Sequence, residues 1–219
     1  FQRSIQQQAS IVLGAEMVFR SGAPIEDRYI QAAETKEIKT AETISFLTMA
    51  LTDEGNILAS IKAVSSAYPL VGNLQVIPQG QSSINLDFKQ PPASTVWVEE
   101  KILEALNTKP GKLITLGNKS FKITGTLVDY PDRSTGFLSF SPTIIVNEAD
   151  LDEMGVIQAG SRVVYRQLYS GESSELESFL KEVEGDLNEV RVQKVSDLEG
   201  QLGNSVNESS QFANLAALF

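Results

Sequence analysis

The chain contains neither cysteine nor histidine. Without histidine it lacks the side chain most often used as a general base and the commonest metal ligand. A nucleophilic triad therefore has no base to build on, and no Gly-x-Ser-x-Gly turn occurs, the nearest serine-rich stretch being Gly136-Phe137-Leu138-Ser139-Phe140. Only oxygen ligands remain for a metal, and no Asp-x-Asp-x-Asp-Gly spacing supplies them. The lack of thiols fits a cell-envelope compartment, where stray thiols would be oxidised. Clustered positive charge is missing too. The 18 Lys and Arg residues are scattered among 28 Asp and Glu, for a net charge of −10. A nucleic-acid partner is therefore not expected, because phosphate backbones need grouped cations to replace their counterions. No run of about 18 apolar residues is present to span a bilayer, and residues 1 to 10 lack the basic-then-apolar pattern of a signal peptide. The expectation is a non-enzymatic domain with no catalytic, cofactor or metal site.

Two local patterns invite a chemical reading and do not sustain it. Leu116-Gly117-Asn118-Lys119-Ser120 resembles the tail of a phosphate-binding loop, but Lys112 stands where the motif needs glycine, so the stretch reads as a hairpin turn. Glu99-Glu100, Asp129 and Asp132 could be imagined as a glycosidase pair, whereas solvated loop charges are far commoner.

What is present is a chain of 219 residues, long enough to bury about 70% of its unfolded surface. Residues 1 to 13 place Phe1, Ile5, Ala9, Val12 and Leu13 on one helical face, giving either a stalk or a helix lying on the core. A short strand follows over 16 to 20. Pro24 suits a first helical position, with Ile25, Tyr29, Ala32 and Ala33 facing inward to about Lys36. Strands over 38 to 51 and 55 to 64 are joined through Asp53-Glu54-Gly55-Asn56.

From Val71 to about Ile157 the character changes. Residues 78 to 94 are rich in Pro, Gln, Gly and Ser and read as a loop. Val96-Trp97-Val98 leads into a helix carrying Ile102, Leu103 and Leu106, with Trp97 expected in the core. Leu113 to Leu116 and Phe121 to Leu127 form a hairpin, and Asn147 caps a short helix that Gly155 stops. Beyond it, a strand over 162 to 168, a helix opened by the capping box Ser174-x-x-Glu177 and a strand over 189 to 195 make a second β-α-β unit. Ser196-x-x-Glu199 caps a final helix with Leu198, Leu202, Val206, Phe212, Leu215 and Phe219. The chain starts without methionine and stops in apolar sequence, which reads as a fragment.

The fold class expected is α+β with two lobes. A split β-α-β lobe comprises 14–70 and 160–195, a small β-rich lobe, 71–159, is inserted in it, and helices occupy 1–13 and 196–219. The crossing between lobes is Lys62-Ala63-Val64 followed by Tyr68-Pro69-Leu70-Val71-Gly72. Pro69 cannot donate to a ladder, so pairing should stop near Tyr68, and Gly72 permits backbone angles that a β-carbon forbids. Phe137, Leu138 and Phe140 lie in a loop with no obvious face. Either they pack under it, or they form an apolar contact for lipid-like cargo or a partner.

Lys62-Ala63-Val64 with Tyr68-Pro69-Leu70-x-Gly72 resembles a signature of FtsX-like and MacB-like ABC transporter permeases, in the predicted lysophospholipase/thioesterase-associated subfamily. Four further stretches match in order: Leu13 to Ser21, Val96 to Glu100, Pro131-Asp132-Arg133-Ser134-Thr135-Gly136-Phe137 and Gly160 to Arg166. Glu16 stands where aspartate would be expected. The resemblance implies the periplasmic domain of a bacterial inner-membrane permease, with the split lobe as porter and the inserted lobe as sabre subdomain. It implies stalks at both ends, the second leading to a transmembrane segment outside this fragment. It also implies a permease homodimer, a cytoplasmic ABC ATPase, and a periplasmic thioesterase or lysophospholipase as a further partner. Its function would be mechanotransmission of ATP hydrolysis for export or extraction of hydrophobic or lipid-related compounds; the alternatives are a periplasmic scaffold that recruits an envelope hydrolase and a free-standing envelope hydrolase, against which the absent histidine argues.

Overall fold

Alternating apolar residues bounded by turn chemistry produce most of the strands, and these join laterally into one sheet. The computed structural model describes residues 2–133 and 136–200. In chain order the elements are α1 (Gln2–Leu13), β1 (Met17–Ser21), α2 (Asp27–Glu34), β2 (Lys39–Thr52), β3 (Gly55–Val64), β4 (Gln75–Pro78), β5 (Thr95–Glu99), α3 (Glu100–Ala105), β6 (Leu113–Leu116), β7 (Lys119–Asp129), β8 (Thr143–Asn147), α4 (Leu151–Met154), β9 (Val163–Ser170), α5 (Ser173–Val183) and β10 (Arg191–Lys194). Residues 195–200 are helical. Among the described residues no helix is long and apolar enough to cross a membrane.

The strand order is β10-β1-β9-β2-β3-β8-β5-β7-β4, with β6 bridging β2 and β7. The two β-α-β units interleave. β9 and β10 both pair antiparallel with β1, while β1 and β2 both pair antiparallel with β9. The split arrangement expected from sequence is thus an interdigitated half-sheet. Parallel pairing of β3 with β8 joins it to the strands of residues 71–159, so one ladder runs through both lobes of the α+β fold.

Strand alternation sorts the core by face. In β1, Phe19 turns toward α2 and α5, where it stacks on Phe179 at 5.6 Å and meets Tyr169 edge-on at 4.8 Å. Its neighbour Val18 turns the other way, into a cluster holding Leu13, Tyr68, Trp97 and Ile145. Under α3, Phe46, Ile61, Ile102, Leu106 and Phe121 form a third cluster. Burying such side chains stabilises by roughly 1.5–3 kcal/mol each.

Several expectations shift. In α1 the buried face is Ala9, Ser10 and Leu13, while Val12 is 59% exposed, because 9 and 13 share an i,i+4 stripe and 12 lies about 100° away. The second helix starts at Asp27, three residues beyond Pro24. Neither capping box forms. Ser173 already opens α5, with Glu172 at the cap making no side-chain bond, so Ser174 lies inside the first turn. Ser196 likewise lies within helical residues, and the Asp197 carboxylate accepts from the Lys194 N–H at 3.2 Å instead. β3 does end at Val64, as expected of the strand over 55 to 64, and Ser65 then turns the chain, its carbonyl accepting from the Tyr68 N–H. Asn147 does cap the following turn, accepting from the Ala149 N–H at 3.0 Å, and Gly155 adopts φ +62° to end α4. Residues 201–219, with Leu202, Val206, Phe212, Leu215 and Phe219 of the expected stalk, and Phe1, Ser134 and Thr135 lie outside the described residues.

Candidate functional site

Lys62 is the residue around which the two lobes close. It stands in β3 between Ser45 of β2 and Ile145 of β8, on the sheet face of Leu13 and Tyr68, and only 2% of it is exposed. A buried ammonium needs partners, since desolvating an unpaired charge costs several kcal/mol. Asp132 supplies them: Lys62 Nζ donates to its Oδ2 at 2.8 Å and to its backbone carbonyl at 2.9 Å. The same Oδ2 accepts from Arg166 of β9, and Oδ1 accepts from the Tyr68 hydroxyl at 2.5 Å. The rings of Tyr68 and Tyr130 lie 5.6 and 5.1 Å from Nζ, presenting their negative faces to it.

The cluster holds two cations against one carboxylate. Burial, with Arg166 adding to it, brings the Lys62 ammonium down to about 8, although Asp132 opposes the shift. The Tyr68 phenol moves well above its ordinary range, first through burial and then through the neighbouring carboxylate.

Around this cluster the end of α1 is pinned. The last carbonyls of a helix have no partner within it and carry its negative pole. Here Arg166 Nη2 donates to Leu13 O at 3.0 Å, the Asp132 N–H to Ile11 O at 3.1 Å and the Val71 N–H to Gly14 O at 3.2 Å. Gly14 has φ +76°, and a β-carbon there would sit 3.0 Å from that of Asp132. Gly72 has φ +84°, and its β-carbon would come within 3.1 Å of Pro131. Both glycines are needed twice over, for backbone angle and for close approach.

The sequence named Lys62, Tyr68, Pro69 and Gly72 as a crossing, and the structure brings Lys62, Tyr68 and Gly72 to one joint. Pro69 follows Tyr68 through a cis peptide bond and contributes no side chain to the charge cluster. Arg166 and Gly14 were not singled out, and Asp132 was weighed only as a solvated loop charge. The signal was present, because each falls in one of the other matched stretches, and those stretches meet here.

Phe137, Leu138 and Phe140 separate. Leu138 is 3% exposed and packs inward, Phe137 is half-buried under the Arg162 guanidinium at 4.8 Å, and Phe140 is 88% exposed. Phe140 borders a cleft of about 730 Å³ with Val128, Leu103 and Glu99. Glu99 is engaged there, accepting from the Thr143 N–H at 2.8 Å and pairing with Arg133, which also holds Asp129.

Comparison with known proteins places this geometry. The family model for the MacB-like periplasmic core domain matches residues 1–199. The ABC transporter permease YbbP of Escherichia coli K12 is 29% identical over 218 residues, which is 99% of this chain and 26% of that protein. The chain therefore spans about a quarter of that relative. Among solved structures, the periplasmic region of MacB from Actinobacillus actinomycetemcomitans aligns with TM-score 0.55 and 15% identity, over 89% of this chain and 96% of that one. The extracellular domain of the noncanonic ABC-type transporter YknZ from Gram-positive bacteria aligns with TM-score 0.51 and 13% identity, over 81% and 100%.

Proposed function

Because the chain belongs to the MacB-like periplasmic core domain family, we propose that it is the extracytoplasmic part of an ABC transporter permease and works as a mechanical relay rather than as an enzyme. In this reading the permease is a homodimer in a bacterial inner membrane with a cytoplasmic ABC ATPase. α1 is a stalk, residues 14–70 and 160–195 are the porter subdomain, and 71–159 are the sabre subdomain. The observation that carries it is the joint. Three carbonyls at the end of α1 are bonded to groups from the 65–72 crossing, the 129–133 loop and β9, so displacement of the helix is passed to both halves of the sheet. A helix rises about 1.5 Å per residue, and a relay requires such a stiff element with two arrangements.

The cargo in this reading is a hydrophobic or lipid-related compound. The exposed Phe140, at the mouth of its cleft, supports a contact with that cargo or with a periplasmic thioesterase or lysophospholipase. The test uses the absence of cysteine from this chain, with any cysteine elsewhere in the full-length permease replaced first. Gln7 and Gln8 are exposed on α1. Cysteines placed there in the full-length permease and oxidised across the dimer should abolish the transport-linked phenotype, and reduction should restore it. Intact function with verified crosslinks would reduce α1 to a passive tether.

A further inference from the structure

Strand register places three arginines side by side on the sheet face that carries Lys62. Arg20 of β1 stands directly opposite Arg191 of β10 on one side and Arg166 of β9 on the other. Opposed residues in such ladders have α-carbons about 4.5–5.5 Å apart, and like charges so placed destabilise the sheet. Arg166 has Asp132 and a helix carbonyl as partners. Arg20 is half-buried, and among the described residues no carboxylate pairs with it or with Arg191. Its guanidinium is drawn below its ordinary range by burial and then by the two neighbouring arginines, with no anion opposing them. In a chain of net charge −10, a row of three arginines is a local reversal of sign.

Arg20 and Arg166 open onto a cavity of about 130 Å³ between the end of α1 and the start of the 195–200 helix, and Arg191 stands beside it, two residues from the lining Gln193 on β10. Arg20, Lys62, Arg133 and Arg166 supply its cations, with the Asp132 carboxylate already taken up by Lys62 and Arg166, and Val12, Leu138 and Leu198 form an apolar side. Ile11 and Val12 extend the apolar side outward, being 40% and 59% exposed. Guanidinium groups hold phosphate and carboxylate through paired N–H donors, and an apolar wall suits the methylenes next to such a head.

We propose that Arg20, with Arg166 on one side and Arg191 at the cavity's edge on the other, binds the anionic head of a single-chain amphiphile, a phosphate monoester or a carboxylate, with the adjoining methylenes against Val12 and Leu198. The bound anion neutralises the row and bridges the two ends of the domain, since β1 follows α1 and β10 precedes the 195–200 helix. The site belongs to the domain itself and stands whether or not α1 transmits force.

Calorimetric titration with octyl phosphate, octanoate, inorganic phosphate and octanol, below micelle concentrations, tests it on the unmodified chain. Saturable binding of octyl phosphate or octanoate with Kd under about 1 mM is expected, and the tighter of the two identifies the head group. R20Q and R191Q should each weaken that binding at least tenfold, while K101Q leaves it unchanged. R20Q should melt at the wild-type temperature or above it, because it relieves like-charge contact. Absence of saturable binding, equal binding by R20Q, or an R20Q melting several degrees lower would overturn the site, the last by showing Arg20 to be a structural partner. Octanol binding as tightly as the anions would overturn the ionic half of the assignment. Inorganic phosphate binding as tightly as octyl phosphate would overturn the amphiphilic half.

Discussion

Two charge clusters of similar ingredients, one at the joint between the lobes and one at the β6–β7 turn, do different work. Lys62, Asp132 and Arg166 are dehydrated, carry one anion for two cations, and join segments far apart in the chain. Lys119, Asp150 and Glu153 carry two anions for one cation at the rim, where Glu153 remains 71% exposed. Asp150 also accepts from the Ser94 N–H at 2.9 Å, so this second group pins a hairpin turn and a loop. Asp150 is itself 2% exposed, but Lys119 keeps a second carboxylate, Glu153, that water reaches. At the joint the Lys62 and Asp132 side chains are 2% and 0% exposed, so these charges depend mainly on one another.

The sharpest way to break the comparison is to neutralise each central aspartate. D132N leaves two buried cations facing one another and should cost about 3–5 kcal/mol, lowering the melting temperature by about 10 °C for a chain of this size. D150N leaves Lys119 paired with the exposed Glu153 and should cost about 1–2 kcal/mol. Equal losses in thermal or urea melts would show that burial does not separate the clusters.

A smaller effect is expected on the pH axis. Folded, Lys62 releases its proton near about 8, while its ordinary value is 10.5. Between these values the unfolded chain binds more protons, so stability rises with pH across that window and is lost as pH falls through about 8. Tyr68 acts oppositely, because its folded phenol keeps the proton above the ordinary 10.0, so stability falls beyond that point. Urea melts at pH 7.5, 9 and 10 should therefore show a rise toward pH 9 to 10 that K62M lacks. An identical pH profile in K62M would assign the rise elsewhere.

How much of this was readable beforehand follows from what each feature depends on. The β2–β3 and β6–β7 hairpins, the Asn147 cap and the Gly72 turn rest on neighbours in sequence, and their residues declare them. The α2 start and the α5 cap failed because Pro24 and Ser174 are compatible with a helix start without dictating one. Interleaving of β1 between β9 and β10, the parallel β3–β8 contact and the arginine row depend on register between distant strands, which local pattern does not encode. The charge cluster was half legible: Lys62 and Tyr68 marked themselves by their setting, whereas Asp132 read as a solvated loop charge although it is 3% exposed. Phe137, Leu138 and Phe140 share one short turn yet face three ways, and no periodicity could separate them.

The smallest effect sharpens that last contrast. F140S removes an 88% exposed ring and should change stability by under about 0.5 kcal/mol, whereas L138S, at 3% exposure, should cost about 2–5 kcal/mol. A loss of function in the full-length permease with F140S at unchanged melting temperature would mark Phe140 as a contact residue. A large drop in its melting temperature would return it to the core.

The placement of β1 beside β10 also decides how the domain bears load. The two strands are antiparallel, and Met17, just after α1, faces Lys194, just before the 195–200 helix. Tension that draws those helices apart therefore reaches the ladder end-on and opens it rung by rung, first the bond from the Val195 N–H to Glu16 O and then Met17–Lys194, as a zip opens, instead of shearing all rungs at once. Such an edge yields at low force. The bonds from Arg166 and Asp132 to the end of α1 lie on the α1 side of that first rung, so they take up the strain before the zip starts to open, and the joint acts as a stop that protects a soft seam.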